Sequence, residues 1–270
     1  MLGLAGIPLG IEFRFFDPTE SAPAAVVGRH DRAPWHDETA LERFAAGLDV
    51  VTLEFENVPV ETVQFLARRL PVFPSASALE VAQDRLLEKS RFRALGLDVP
   101  AFRTVDSRSD LETAVLALGL PLVLKTRRFG YDGKGQRRVM TAADVDVAWQ
   151  AIGGMPLIAE ALVPFDRELS LIGVRSTRGE TRFYPLVENV HRNGILHTSR
   201  APAPDSSALL PKAEALLSAL LEDLGYVGAL TLELFEQGGQ LLANEIAPRV
   251  HNSGHWTIEG AETSQFENHV

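Results

Sequence analysis

Two periodicities of apolar and polar residues interleave along this chain. Their alternation predicts a mixed α/β protein. Met1–Leu9 reads as the later turns of a helix, and Ile11–Phe16 as a strand closed by Asp17-Pro18. A helix over Glu38–Ala46, a buried strand at Val50–Leu53, a helix at Val60–Arg69 opened by Pro59, and a short strand at Pro71–Pro74 follow. Strands alternating with helices at this spacing predict a parallel, doubly wound sheet, whose ligands bind beyond the carboxyl ends of the strands. Glu54-Phe55-Glu56-Asn57 lies at such an end, although a helix-capping loop explains it equally well. No strand precedes the first helix, as one would in a βα unit.

Ser77–Leu95 predicts two helices meeting near Gln83-Asp84, with Asp84 as the cap of the second and Arg85 in its first turn. On pattern alone Arg85 reads as a surface arginine. The texture then changes to Phe102–Val105 (strand), Ser109–Leu118 (helix), Leu120–Lys125 (strand), Arg137–Met140 (strand), Ala142–Ala151 (helix) and Pro156–Ala161 (strand). Arg167–Val174 and Thr181–Leu186 read as further strands, the second reaching Glu188–His191. Ser207–Leu224 carries a leucine stripe at helical spacing, which is core. The chain stops inside a predicted helix, Thr263–His269.

Two apolar runs, Leu230–Phe235 and Leu241–Ile246, flank Gln237-Gly238-Gly239 and predict a β-hairpin with one acid per strand, Glu233 and Glu245. A two-residue turn would oppose Glu233 to Asn244 and send Glu245 to the other face. A three-residue loop, Gln237 to Gly239, shifts the register by one and brings both acids to one face. We adopt the second. Two carboxylates about 4 Å apart repel by about 4 kcal/mol at an effective dielectric of about 20. A cation between them relieves that repulsion, and hard oxygen ligands without Cys suit Mg²⁺ shared with phosphates. Solvated acids on an edge hairpin are the commoner arrangement, so the hairpin alone does not decide.

Between two strands lies Arg127-Arg128-Phe129-Gly130-Tyr131-Asp132-Gly133-Lys134-Gly135-Gln136. No helix follows at once, so it is neither a P-loop nor a dinucleotide-binding turn. Its glycines let successive N–H groups turn toward one point, and Lys125, Arg127, Arg128 and Lys134 add positive charge, an arrangement suited to phosphates. The loop Ala247–His255 offers a run of donors. His251 and His255 are four apart, but Pro248 and Gly254 argue against the helix that a zinc pair would need.

Composition narrows the classes. At 270 residues the chain can bury a sizeable core and divide into two domains. A net charge of −10 argues against a nucleic-acid partner. The lack of cysteine excludes disulfides and thiolate metal sites and fits a reducing cytoplasm. No apolar run approaches the length of a membrane span, so no membrane partner is expected.

Glu54–Pro59, Gln83-Asp84-Arg85, Lys125 with Gly130–Gln136, Asn244–Arg249 through His251–His255, and Thr263–Glu267 together resemble the ATP-grasp ligases. Within them they resemble the N5-carboxyaminoimidazole ribonucleotide synthase family of purine biosynthesis. The resemblance implies a partial doubly wound, Rossmann-like pre-ATP-grasp domain over residues 1–78, lacking its first strand. An ATP-grasp domain of α+β character over 79–270 would follow, with a small lid subdomain at about 98–163. The small C-terminal domain of the family is absent, so the chain reads as a fragment. ATP and Mg²⁺ are the implied cofactors, with bicarbonate as co-substrate and aminoimidazole ribonucleotide as substrate. Arg85, Lys125 and Gly130, Tyr131, Asp132, Gly133, Lys134, Gly135 and Gln136 would contact the ATP phosphates. Adenine would lie against Glu160, Ala161, Leu162 and Val163, with Glu168 on the ribose and His191 nearby. Glu233 and Glu245 would hold Mg²⁺ beside Asn244. Tyr131, Asp132, Arg249, His251, Asn252, Ser253 and Glu54 would face the ribonucleotide and the bicarbonate-derived group. Asp132, Arg249 and His251 are the candidate catalytic residues. ATP would convert bicarbonate to carboxyphosphate, which carboxylates the amine. A homodimer is implied. The alternatives are another ATP-grasp ligase, such as the formate-using glycinamide ribonucleotide transformylase, or a non-catalytic Mg-ATP-binding fragment.

Overall fold

The computed structural model describes residues 1–130 and 134–270. The roles expected of Tyr131, Asp132 and Gly133 therefore lie outside the described residues.

The chain opens with α1 (Leu2–Gly6), β1 (Arg14–Phe16), β2 (Arg29–Asp31), α2 (Glu38–Ala45), β3 (Val51–Thr52), α3 (Val60–Ala67), β4 (Val72–Phe73) and α4 (Ala76–Gln83). The strands pair in parallel as their alternation with helices predicts, β1 with β2 and β3 with β4, but as two separate two-stranded sheets. β1 starts at Arg14 and not at Ile11, because the chain first closes a turn in which Ile11 N–H returns to Gly6 O. Leu41, Phe44, Val51, Leu53, Val63, Leu66 and Leu79 form a core of their own.

α4 meets α5 (Arg85–Ala94) at Asp84, whose Oδ1 accepts the N–H groups of Leu86 and Leu87. The same carboxylate holds Arg127 with two bonds of 2.6 and 3.1 Å, so the cap also ties the helix to the next unit.

That unit comprises β5 (Phe102–Val105), α6 (Arg108–Leu118), β6 (Leu122–Thr126), β7 (Gln136–Val139), α7 (Asp144–Ile152) and β8 (Leu157–Ala161). Its antiparallel sheet runs β5-β8-β6-β7. Alternation along β6 buries Leu122 and Leu124 under α6 and α7 and turns Val123 and Lys125 to the opposite face.

The third unit carries β9 (Arg167–Arg175), β10 (Thr181–Phe183), β11 (Val187–Arg192), β12 (Ile195–Arg200), α8 (Leu210–Asp223), β13 (Gly228–Gln237), β14 (Gln240–Ala247), α9 (Thr257–Gly260) and α10 (Gln265–His269). The antiparallel order is β12-β11-β9-β13-β14, with β10 beside β9. The stretch read as one strand from Thr181 is thus two, and β12 went unpredicted because most of its residues are exposed and lack an apolar face. The leucine stripe of α8 (Leu217, Leu220, Leu221) is fully buried against Leu169, Leu171, Leu230, Leu232 and Leu234. Each such side chain stabilises the fold by about 1.5–3 kcal/mol. On the other side α1 and α10 pack with Val174, Ala229 and Val250. There the His269 ring accepts Ala229 N–H at 3.0 Å and meets Thr52 Oγ1 at 2.6 Å, joining β13 to β3.

Candidate functional site

β13 and β14 form the expected hairpin, but its turn differs from expectation. Gly238 (φ +55°) and Gly239 (φ +77°) make a two-residue turn between paired Gln237 and Gln240. Two left-handed residues match the right-handed twist of the flanking strands, so the three-residue loop is not needed. The register shifts instead at a β-bulge. Leu234 pairs with Ala243 and Glu233 with Glu245, which leaves Asn244 as the extra residue. Glu233 and Glu245 are thus directly opposed on one face, the outcome anticipated from the sequence, through a different device.

Both acids line a cavity of about 690 Å³ between the two antiparallel sheets. The β5–β8 sheet contributes Val123, Lys125 and Glu160 through Val163. The larger sheet contributes Glu168, His191, Phe235 and Asn244, and α5 contributes Arg85 and Glu88. Gly130, Lys134 and Gln136 cover one side, while Glu56, Arg249, His251 and Asn252 line another. Gly135 (φ +68°) lies against Thr126, where a Cβ would fall 2.6 Å from Oγ1, so only glycine fits.

The charges are arranged in pairs. Glu233 Oε1 lies 3.0 Å from His251 Nε2, and Glu245 Oε2 lies 3.3 Å from Arg85 Nη1. Lys125 Nζ donates to Glu160 Oε2 at 2.9 Å, and Arg249 Nε meets Glu56 Oε2 at 2.8 Å. Burial alone would raise the pKa of Glu160, but Lys125 and Lys89 outweigh it and hold the carboxyl at about 2. Burial likewise opposes ionisation of Glu233, and the His251 hydrogen bond lowers its pKa regardless. Burial and the neighbouring Glu245 push Glu88 up to about 8. His191 is raised chiefly by its 2.6 Å hydrogen bond to Glu168, against the effect of burial. Arg85 Nε, Glu160 Oε1 and Asn244 Oδ1 are buried without a partner among the described residues, all three on residues of this cavity. Unsatisfied polar atoms are scarce in folded proteins, so their clustering marks places where a bound molecule completes the bonding.

His251 is oriented from behind. Its Nδ1 accepts the Ser253 N–H at 3.3 Å and lies 2.8 Å from Ser253 Oγ. Ser170 Oγ donates to Ser253 Oγ, Asn189 Nδ2 donates to Ser170 Oγ, and Ser199 Oγ donates to Asn189 Oδ1, each at 2.8 Å. Because a backbone N–H can only donate, Nδ1 carries the lone pair and Nε2 carries the hydrogen that faces Glu233.

Two expected substrate contacts are placed elsewhere. Ser253 is wholly buried in that chain of hydrogen bonds behind the cavity wall. Glu54 does not line the cavity; its Oε1 accepts the Met1 amine at 2.7 Å and the Leu2 N–H at 3.1 Å. Arg85, read as a surface residue by pattern, is largely enclosed. His255 does not join His251: its ring lies 5.7 Å from that of Phe266, and no group of three or more metal-ligating side chains occurs among the described residues. Pattern reading missed Glu88 and Lys89, which share one face of α5 with Arg85; within the stretch Glu54–Asn57 it chose Glu54, whereas Glu56 lines the cavity. The spacing of 85, 88 and 89 was visible, but three charges on a helix face ordinarily mean solvent.

The chain matches the ATP-grasp domain over residues 90–266 and the ribonucleotide synthetase preATP-grasp domain over residues 1–83. It is 53% identical over 270 residues to N5-carboxyaminoimidazole ribonucleotide synthase of Pseudomonas aeruginosa, covering 100% of this chain and 74% of that protein. The crystal structure of N5-carboxyaminoimidazole ribonucleotide synthetase from Thermus thermophilus superposes with a TM-score of 0.95 at 57% identity, covering 100% of this chain and 73% of that one. The Aspergillus clavatus synthase in complex with ADP and 5-aminoimidazole ribonucleotide superposes with a TM-score of 0.91 at 30% identity, covering 100% and 72%.

Proposed function

We infer how this chain works from one premise: it belongs to the ATP-grasp ligases, in the family of N5-carboxyaminoimidazole ribonucleotide synthases. It is an ATP-dependent ligase of purine biosynthesis that carboxylates 5-aminoimidazole ribonucleotide with bicarbonate and releases ADP and phosphate. Bicarbonate takes the γ-phosphoryl group of ATP to give carboxyphosphate, whose carboxyl group passes to the amine. ATP and Mg²⁺ are its cofactors.

The residue assignments are our proposal. The observation that carries them is the opposition of Glu233 and Glu245 across a bulge, in the same cavity as Lys125 and Arg85. Two carboxylates and the unpartnered Asn244 Oδ1 are a hard-oxygen donor set of the kind Mg²⁺ prefers. Glu233 and Glu245 would hold Mg²⁺, which when bound would supply charge neutralisation to the phosphates. Lys125, aimed by its hydrogen bond to Glu160, binds the phosphates together with Arg85. Glu168 and His191, joined at 2.6 Å, take the ribose side, and Ala161 to Val163 take the adenine. Gly130 and Lys134 to Gln136 close over the phosphates and keep water from carboxyphosphate. Arg249, His251 and Asn252 take the ribonucleotide and the carboxylate, with Arg249 anchored on Glu56 and His251 fixed against Glu233 through its Nε2–H.

The test is phosphate release from ATP by the purified chain. Release that requires both bicarbonate and aminoimidazole ribonucleotide, and is not supported by formate, is expected. Formate-dependent release, or nucleotide binding without turnover for every acceptor, would overturn the assignment. A division at residues 1–78 and 79–270, a homodimer and a cytoplasmic location belong to the same proposal and rest on the family resemblance. Analytical ultracentrifugation tests the dimer.

A further inference from the structure

Two ionisable side chains of α5 are buried and have no part in the reaction as described. Glu88 and Lys89 are each 1% exposed. A buried carboxyl and a buried ammonium destabilise a fold unless each has a partner. Their hydrogen-bond partners here are main-chain atoms of one short segment. Lys89 Nζ donates to Asn244 O at 2.8 Å, and Ile246 N–H donates to Glu88 Oε1 at 2.7 Å. These bonds fall on either side of Glu245. One turn earlier on the helix, Arg85 Nη1 reaches the Glu245 carboxylate itself at 3.3 Å. Spacings of three and four residues bring the three side chains to one face. The segment they hold is the one the ladder leaves loose, because Asn244 is the extra residue of the bulge and strand pairing does not fix its direction.

We propose that Glu88 and Lys89 are positioning residues, a two-point clamp on the main chain at Ile246 and Asn244 that holds the bulge and so aims the Glu245 carboxylate at the magnesium nucleotide. The proposal rests on the reading of Glu245 as a metal ligand. Glu88 serves as an acceptor for one N–H, for which an amide oxygen suffices. Lys89 serves as a donor to one carbonyl, and its remaining attraction goes to Glu160 Oε2 at 3.4 Å, which links the clamp to Lys125.

The test is the gain in ADP affinity on adding Mg²⁺, measured by titration calorimetry on the whole chain. The metal-free affinity reports the rest of the pocket. Glu245→Gln removes most of the gain; if it does not, the metal reading fails irrespective of Glu88. With that reading intact, Glu88→Gln keeps the gain within about twofold. Glu88→Leu and Lys89→Met each reduce it about tenfold or more, the size expected when a group supporting a metal ligand is lost, and leave metal-free affinity within about twofold. In the Glu245→Gln background Glu88→Leu adds nothing further. The clamp is overturned if Glu88→Gln is as damaging as Glu88→Leu, which would make the carboxylate itself a ligand. It is also overturned if the apolar variants weaken metal-free and Mg-dependent binding equally. Should one apolar variant not fold, the other supplies the comparison, and loss of the gain in Glu88→Gln overturns the clamp by itself.

Discussion

The two antiparallel sheets that enclose the cavity present their charges in opposite ways. On the larger sheet the acids sit in strand interiors: Glu233 is held by His251, Glu245 by Arg85, and the main chain around Glu245 is gripped from α5. On the smaller sheet the cations move progressively outward. Lys125 on the inner strand β6 is fixed by Glu160, whereas Arg138 on the edge strand β7 lines the cavity and is exposed. A metal needs donors at fixed separation, which packed strands provide. A polyphosphate that must enter and leave is better met by long side chains at a rim. The contrast therefore predicts that interior charges control rate and that rim charges tune affinity.

The severest challenge to this contrast is at Glu245. Glu245→Gln should reduce ATP turnover by more than about 10³-fold with the melting temperature little changed, because a metal contact is lost and no core atom. Residual turnover above about a tenth of the parent value would end the distinction between the sheets. Lys125→Met should lower kcat by about 10²–10³-fold, the size seen when one preorganised charge-stabilising donor is removed. It should also strand Glu160 with Lys89 alone, so a modest loss of stability in urea is expected alongside.

A third effect concerns the join between β13 and β3. Burial lowers the pKa of the His269 ring to about 4 from an ordinary value of 6.5. The unfolded chain therefore binds this proton more readily, and stability is fully present above pH 6.5 and is lost as pH falls toward 4. The loss attributable to His269 between pH 7.5 and pH 5 should be about 2 kcal/mol. It is read as the difference in pH slope between the parent and His269→Asn in urea unfolding. Equal slopes would refute it. The smallest effect should be at the rim: Arg138→Ala should raise the KM for ATP no more than about fivefold, with kcat unchanged, and the increase should shrink in high salt.

What the sequence disclosed follows the same division between local and distant causes. The capping role of Asp84, the leucine stripe of α8 and the alternation that aims Lys125 are set within one turn or one strand, and all were readable. The hairpin acids were read as opposed, but for the wrong reason: two glycines announce a turn, whereas nothing in Ala243-Asn244-Glu245 announces an extra residue in the ladder. Glu88 and Lys89 were missed because a charge on a helix normally means water, and their partners lie more than 150 positions away. Ser253 was read as part of a polar, ligand-facing loop. Its burial depends on Ser170 of β9, a relation that no local window contains.

The bulge has one more consequence. It lies between the opposed acids and the exposed tip at Gly238-Gly239, where Gly238 N–H rests on Asp166. The ladder from Leu234 to Gln237 is regular, so the tip can be lengthened without altering which residues face each other further down. A reporter peptide or a small domain can be grafted there with the chemistry intact, whereas a single residue added anywhere from 234 to 237 would transmit its displacement straight to the acids.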